Sequence, residues 1–151
     1  MATMVLDAHA LMVLFNDEPG AEEVEKILLK AEKGNLRLLM SVINWGEIYY
    51  SIMRGAWQEI ADSKAHEIAG MRIELVPVDT RDLELTRQAA AFKATKKLSY
   101  ADCFAAALAK IRNAELVTGL PRLQGSRRRF EKDQMAEMMK VALGIGSSWA
   151  H

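Results

Sequence analysis

Residues 99–110 read Ser-Tyr-Ala-Asp-Cys-Phe-Ala-Ala-Ala-Leu-Ala-Lys, an Ala- and Leu-rich run without Gly or Pro, whose intrinsic helix preference is high. Ser99 suits the N-cap, and Asp102 falls in the first turn, where the helix dipole favours a negative charge. Ser-x-x-acid before an apolar run is also the capping-box spacing, although that box prefers the longer Glu or Gln. The flanks of Asp102 are more apolar than a surface cap needs. Capping alone accounts for Asp102; other acids in the chain change that reading.

Outward from this helix the chain alternates. Downstream, residues 114–119 read as a strand with its exit turn. Upstream, residues 3–6 form a short apolar strand that ends at Asp7 and turns directly into a short helix. Residues 21–33 place Val24, Ile27, Leu28 and Ala31 on one helical face, and Gly34-Asn35 stops that helix. Residues 36–40 are a second strand, and Ser41 caps a helix carrying Trp45, Glu47, Ile48, Tyr49, Ile52 and Met53. Gly55 interrupts, residues 57–70 form a further helix, and residues 73–78 a third strand. Pro77 marks an edge or a strand end there. Asp79-Thr80 opens a helix reaching residue 97. Strands separated by helices predict an α/β domain, with a central parallel sheet covered on both faces. In such sheets ligands gather beyond the carboxyl ends of the strands, where Asp7 and Thr118-Gly119 fall.

The 151 residues fit one domain, 1–151, long enough for a single sizeable core. Lys plus Arg number 20 and Asp plus Glu number 20, so no net field points to nucleic acid or to a membrane surface. Cys103 is the only cysteine; it cannot form an internal disulfide, suits a reducing cytoplasm, and reads as a small core residue. No apolar run approaches the ~18 residues of a membrane span. The first residues lack the basic start of a signal peptide. These features predict a cytoplasmic domain without a membrane partner.

Three carboxylates stand beside apolar sequence at element starts: Asp7, Glu47 and Asp102. Asp7 alone could be a helix cap, and Glu47 alone an exposed helix charge. Converging carboxylates repel unless protonated or neutralised by a cation. Hard oxygen ligands with open positions suit Mg²⁺ or Mn²⁺, not zinc. Such ions activate water and stabilise an in-line phosphoryl displacement.

Val-Leu-Asp-Ala-x-Ala-Leu at 5–11, Asn-Trp-Gly-Glu at 44–47, residues 99–109 and Leu-Val-Thr-Gly at 116–119 together resemble the PIN-domain ribonucleases. The resemblance is nearest to the VapC toxins of toxin–antitoxin pairs. It implies a three-layer α/β/α fold and metal-dependent endonucleolytic cleavage of RNA. Asp7, Glu47 and Asp102 would then be catalytic, metal-holding positions, with Mg²⁺ or Mn²⁺ as cofactor. His9, Ser99 and Thr118 are candidates for positioning substrate; at His9 the family usually has Ser or Thr. The resemblance also implies a homodimer and a VapB-type antitoxin whose tail covers the active site. A haloacid-dehalogenase-like phosphatase would usually need a second Asp where His9 stands. A receiver domain would want an acidic pair near Asp7 and a Lys after a late strand. No P-loop or Gly-x-Gly-x-x-Gly pattern suggests a nucleotide cofactor.

The resemblance stops at Gly119. Such toxins follow Thr-Gly with Asp, then Pro, an acid and Phe. Here Leu120-Pro121-Arg122-Leu123 leads instead to Arg127-Arg128-Arg129, which a basic loop touching RNA phosphates would explain. Another reading is a slipped coding frame. One base out of phase, the codons allowed from Pro121 onward can spell Pro-Asp-Phe-Lys-Ala-Val-Glu-Glu-Asp-Leu-Lys-Lys-Ile-Lys-Trp-Leu-Lys and then stop. Most letters of that peptide are permitted rather than required. Two are forced: Met135-Ala136 must yield TGG, which is Trp, and Met138-Met139 must yield TGA, a stop. Residues 120–151 are therefore read as an atypical, frameshifted tail lacking the fourth acid. The alternative function is a catalytically impaired PIN-fold protein that binds antitoxin or RNA. Finally, Trp45, Tyr49, Tyr50, Met53 and Trp57 spread around more than one helical face, a composition enriched at partner surfaces.

Overall fold

Ala2–Leu6 forms strand β1 and Leu36–Ser41 strand β2; in both, successive side chains serve opposite faces of the sheet. Met4 and Leu6 of β1, with Leu36, Leu38 and Met40 of β2, enter one core, while Val5 and Leu39 enter the other. Apolar residues on both faces are what a parallel sheet covered on each side requires. Ile73–Val76 (β3) and Glu115–Val117 (β4) complete the described sheet, in the order β3-β2-β1-β4 with every pairing parallel. The computed structural model describes residues 1–118. The expected tail of residues 120–151 lies outside them.

Among the described residues six helices flank the sheet: Ala8–Phe15 (α1), Ala21–Glu32 (α2), Val42–Gly55 (α3), Gln58–Ala69 (α4), Glu84–Thr95 (α5) and Tyr100–Arg112 (α6). The first four bury Leu11, Val24, Ile27, Ile48 and Ile68 against the face of Met4 and Leu38. The last two bury Phe92 and the unbroken run Cys103–Ala109 against the face of Val5 and Leu39. A helix with consecutive buried residues is enclosed on more than one side. The four small alanines of that run let α6 lie close to both the sheet and α5. Cys103 is fully buried there, as a core residue. The expected three-layer α/β/α arrangement is the one observed.

Residues 79–97 depart from the expected continuous helix, because α5 begins only at Glu84. The carboxylate of Asp79 accepts a hydrogen bond from the Arg81 amide at 2.9 Å, and that of Asp82 from the Glu84 amide at 3.0 Å. Two Asp side chains thus capture backbone donors two residues ahead, a local turn that competes with helix. The third strand ends at Val76, just before Pro77, and β3 is an edge strand. No helix among the described residues is long and apolar enough to cross a membrane.

Candidate metal centre

From β1 the chain crosses to β2 and β3, then returns to place β4 on the other side of β1. The crevice beyond the carboxyl ends of β1 and β4 is therefore the switch point where such sheets hold ligands. Asp7 follows β1 directly and caps α1: its Oδ1 accepts from the Ala10 amide at 2.9 Å. Thr118, following β4, hydrogen-bonds to the same carboxyl group. Asp7 is only 2 % exposed. Burial, more than any other influence, pushes its pKa up to about 6, against the Thr118, His9 and Ala10 contacts that favour the charged form.

Asp102 arrives from the opposite layer. Ser99 caps α6, accepting from the Asp102 amide at 3.1 Å. This confirms the cap read from the sequence, and it fixes the acid in the first turn. Burial works to raise the Asp102 carboxyl, but contacts with His9 and Ser99 outweigh it and hold the group below the ordinary carboxylate range. Glu47 enters from α3. Burial and then the neighbouring charge of Asp102 push its carboxyl above the usual range.

The residue that closes the group is His9. Its Nε2 lies 3.6 Å from Asp102 Oδ1. One donor atom each from His9, Glu47 and Asp102 all lie within 4.8 Å of one another. Attraction to Asp102 dominates the His9 pKa, lifting it to about 9 despite burial, with Asp7 and Glu47 adding to the pull. Glu47 Oε2 and Asp102 Oδ1 are buried without a hydrogen-bond partner. Buried oxygens without hydrogen bonds are costly; that of Glu47, with the Asp102 oxygen held only by the long ion pair to His9 and a further buried acid beside them, fits the donor set of a divalent cation.

All six residues singled out in the sequence gather around this crevice. Glu47 and Asp102 come together as expected. Asp7 stands beside them as a buried, doubly held carboxyl, and His9 rather than Asp7 completes the three-donor group that lies within 4.8 Å. Ser99 and Thr118 touch Asp102 and Asp7 respectively. Asn44 has no assigned role in the sequence reading. Fully buried, it donates from Nδ2 to the Ala101 carbonyl at 3.0 Å, tying the helix of Glu47 to the first turn of the helix of Asp102. An Asn on the buried side of an otherwise apolar helix start was the available signal.

Fold and site thus define a three-layer α/β protein with an acid-rich centre at the carboxyl edge of its sheet. Residues 4–119 match the PIN domain, and the chain belongs to that family. Among solved structures it is similar to VapBC2 from Rickettsia felis bound to a promoter DNA fragment, at 18% identity and a TM-score of 0.60, covering 82% of this chain and 92% of that one. It is also similar to DNA-bound VapBC from Salmonella typhimurium, at 20% identity and TM-score 0.59, covering 87% and 96%. A third is Mycobacterium tuberculosis VapC20, a sarcin-ricin loop cleaving toxin, at 11% identity and TM-score 0.58, covering 76% and 88%. At these identities the likeness is one of fold. No curated protein sequence matches the chain.

Proposed function

We propose that this protein is a VapC-type toxin, a divalent-metal-dependent endoribonuclease held in check by a VapB-type antitoxin. The observation that carries the reading is the convergence of Glu47, Asp102 and His9 within 4.8 Å, beside the buried Asp7. Glu47 and Asp102, with Asp7 adjoining, would hold Mg²⁺ or Mn²⁺. When bound, that ion supplies a Lewis acid for the scissile phosphate and for the attacking water. The chain's own residues do the positioning. Ser99 fixes Asp102 at the start of α6, Ala10 and Thr118 fix Asp7 at the start of α1, and Asn44 links α3 to α6. Ser99 and Thr118 are further proposed to face the substrate at the crevice rim. The VapBC complexes of like fold favour an antitoxin partner. The setting proposed is the cytoplasm.

The test is cleavage of a structured RNA pool by the full chain with Mn²⁺ or Mg²⁺, against EDTA. Endonucleolytic products that disappear on chelation are expected. Equal cleavage in EDTA would overturn the metal-dependent reading. The second reading, a PIN-fold protein that binds without cutting, is favoured by one feature: Leu120 stands where such toxins carry Asp. It predicts metal binding without turnover.

A homodimer is proposed to form across the outer end of α3. Tyr50, Met53 and Trp57 are exposed there, Trp57 by 72 %. Trp45 and Tyr49 stack at 5.4 Å, and the Tyr49 hydroxyl donates to Asp62 at 2.6 Å, so those two belong to the α3–α4 contact instead. The double substitution Tyr50→Ser with Trp57→Ser is expected to halve the solution mass seen by light scattering while the chain stays folded by circular dichroism. An unchanged mass would count against this face.

A further inference from the structure

We propose that His9 is itself a ligand of the metal, giving the centre a mixed nitrogen and oxygen donor set that favours Mn²⁺ over Mg²⁺. The inference rests on the reading above that Glu47 and Asp102 hold a divalent cation. Two donors on opposite sides of an ion with bonds of about 2.1 Å are about 4.2 Å apart. Donors at right angles on such an ion are about 3.0 Å apart, so three donors already within 4.8 Å of one another reach a common ion by side-chain shifts on the order of 1 Å.

A structural role explains His9 less well. It is the second residue of α1, and a helix N-terminus disfavours a positive side chain. Its ring is only 36 % exposed, turned inward on Asp102 although solvent is available to it. Opposite it stand Glu47 Oε2, buried without a hydrogen-bond partner, and Asp102 Oδ1, 3.6 Å from the ring itself, so donor atoms from three different helices point into one space. Mg²⁺ prefers an all-oxygen shell, whereas imidazole suits first-row transition ions; Mn²⁺ is the oxygen-tolerant end of that series. Two carboxylates and one imidazole match Mn²⁺ better than Mg²⁺.

The competing role is that of a counter-ion, in which His9 merely neutralises the acids and must be displaced by a metal. The two roles predict opposite effects of one substitution. His9→Gln should weaken Mn²⁺ binding at least about tenfold if a ligand is lost, with little change for Mg²⁺. It should tighten binding of both ions if a competing positive charge is lost. Calorimetric titration of the full-length parent and of His9→Gln with each ion reads this directly. Pulsed electron paramagnetic resonance of the Mn²⁺-loaded parent adds a test without any substitution. Nitrogen-14 modulation is expected in the parent and absent in His9→Gln.

Mn²⁺ bound without nitrogen coupling, or bound more tightly by His9→Gln, would overturn His9 as a ligand and leave the carboxylate site standing. Glu47→Gln separates the two readings, because it should lose Mn²⁺ whichever role His9 has. Absence of Mn²⁺ binding in the parent would overturn both.

Discussion

Asp7→Asn is expected to cut RNA cleavage steeply and, in the same molecule, to stabilise the metal-free protein. Removing a buried carboxylate proposed to adjoin the metal should lower turnover on the order of 10²–10³-fold. The stability gain comes from burial. The Asp7 carboxyl is raised from 3.8 to about 6, roughly two units, and each unit corresponds to about 1.36 kcal/mol. A group whose folded pKa lies above its unfolded value contributes most at pH below the unfolded value. That contribution is lost as pH rises through the folded one. The parent thus carries a buried-charge cost of up to about 3 kcal/mol above pH 6, which the Asn variant lacks. Asn still caps α1, and its amide can donate to the Thr118 hydroxyl. Urea melts in EDTA at pH 8 should show the variant more stable, with the difference closing toward pH 4. Equal stability at both pH values would remove the burial argument.

Asp102→Asn provides the contrast. Its carboxyl is held below the ordinary range, burial being outweighed by His9 and Ser99, so ionised Asp102 already has its partners and its loss should not stabilise the fold. Both variants lose cleavage, but only one gains stability. Metal reverses the order. At 1,000 times its dissociation constant an ion adds about 4.1 kcal/mol to the parent, more than the roughly 3 kcal/mol cost of the buried charge, and Asp7→Asn should gain less. An active centre that is costly when empty and repaid when filled is the usual relation between function and stability.

Much of this architecture was legible because simple periods write it. Met4, Val5 and Leu6 alternate between two cores, and caps at Ser41 and Ser99 mark helix starts. Asp7 and Asp102 were visible as acids lodged at strand and helix ends among apolar neighbours. The start of α5 was misplaced because Asp79-Thr80 reads as a helix opening, whereas Asp79 and Asp82 each close a local turn. The part played by His9 could not be read from spacing at all. Its neighbours Glu47 and Asp102 come from α3 and α6, so the group exists only once α1, α3 and α6 have converged on the sheet edge. Asn44 was hidden for the same reason, its partner Ala101 lying on another helix. Local pattern carries elements and caps; constellations drawn from three helices belong to tertiary structure.

Replacing residues 120–151 with the out-of-phase peptide beginning Pro-Asp-Phe is expected to raise Mn²⁺ affinity and RNA turnover, each at least about tenfold. Three acids and an imidazole can hold one ion, but among the described residues no carboxylate follows β4. Thr118 is the last described residue there, and the Asp of the alternative peptide would enter within a few positions of it. The native order instead brings Arg127, Arg128 and Arg129, whose charge opposes a cation wherever it approaches one. Sheet architecture gives a second reason. β4 has only three residues and pairs with β1 alone among the described strands, and so short an edge contributes little pairing. The alternative peptide supplies a charged helix-forming run and then Ile-Lys-Trp-Leu, whose alternation suits a further strand. Both chains should be measured side by side for Mn²⁺ binding, melting temperature and cleavage, with Asp102→Asn in each as the control. A restored chain no better than the parent would mean that the arginine-rich tail is the functional one, and would sink the slipped-frame reading. Cleavage by the restored chain alone, lost on Asp102→Asn, would identify the parent as a nuclease fold disabled downstream of Gly119.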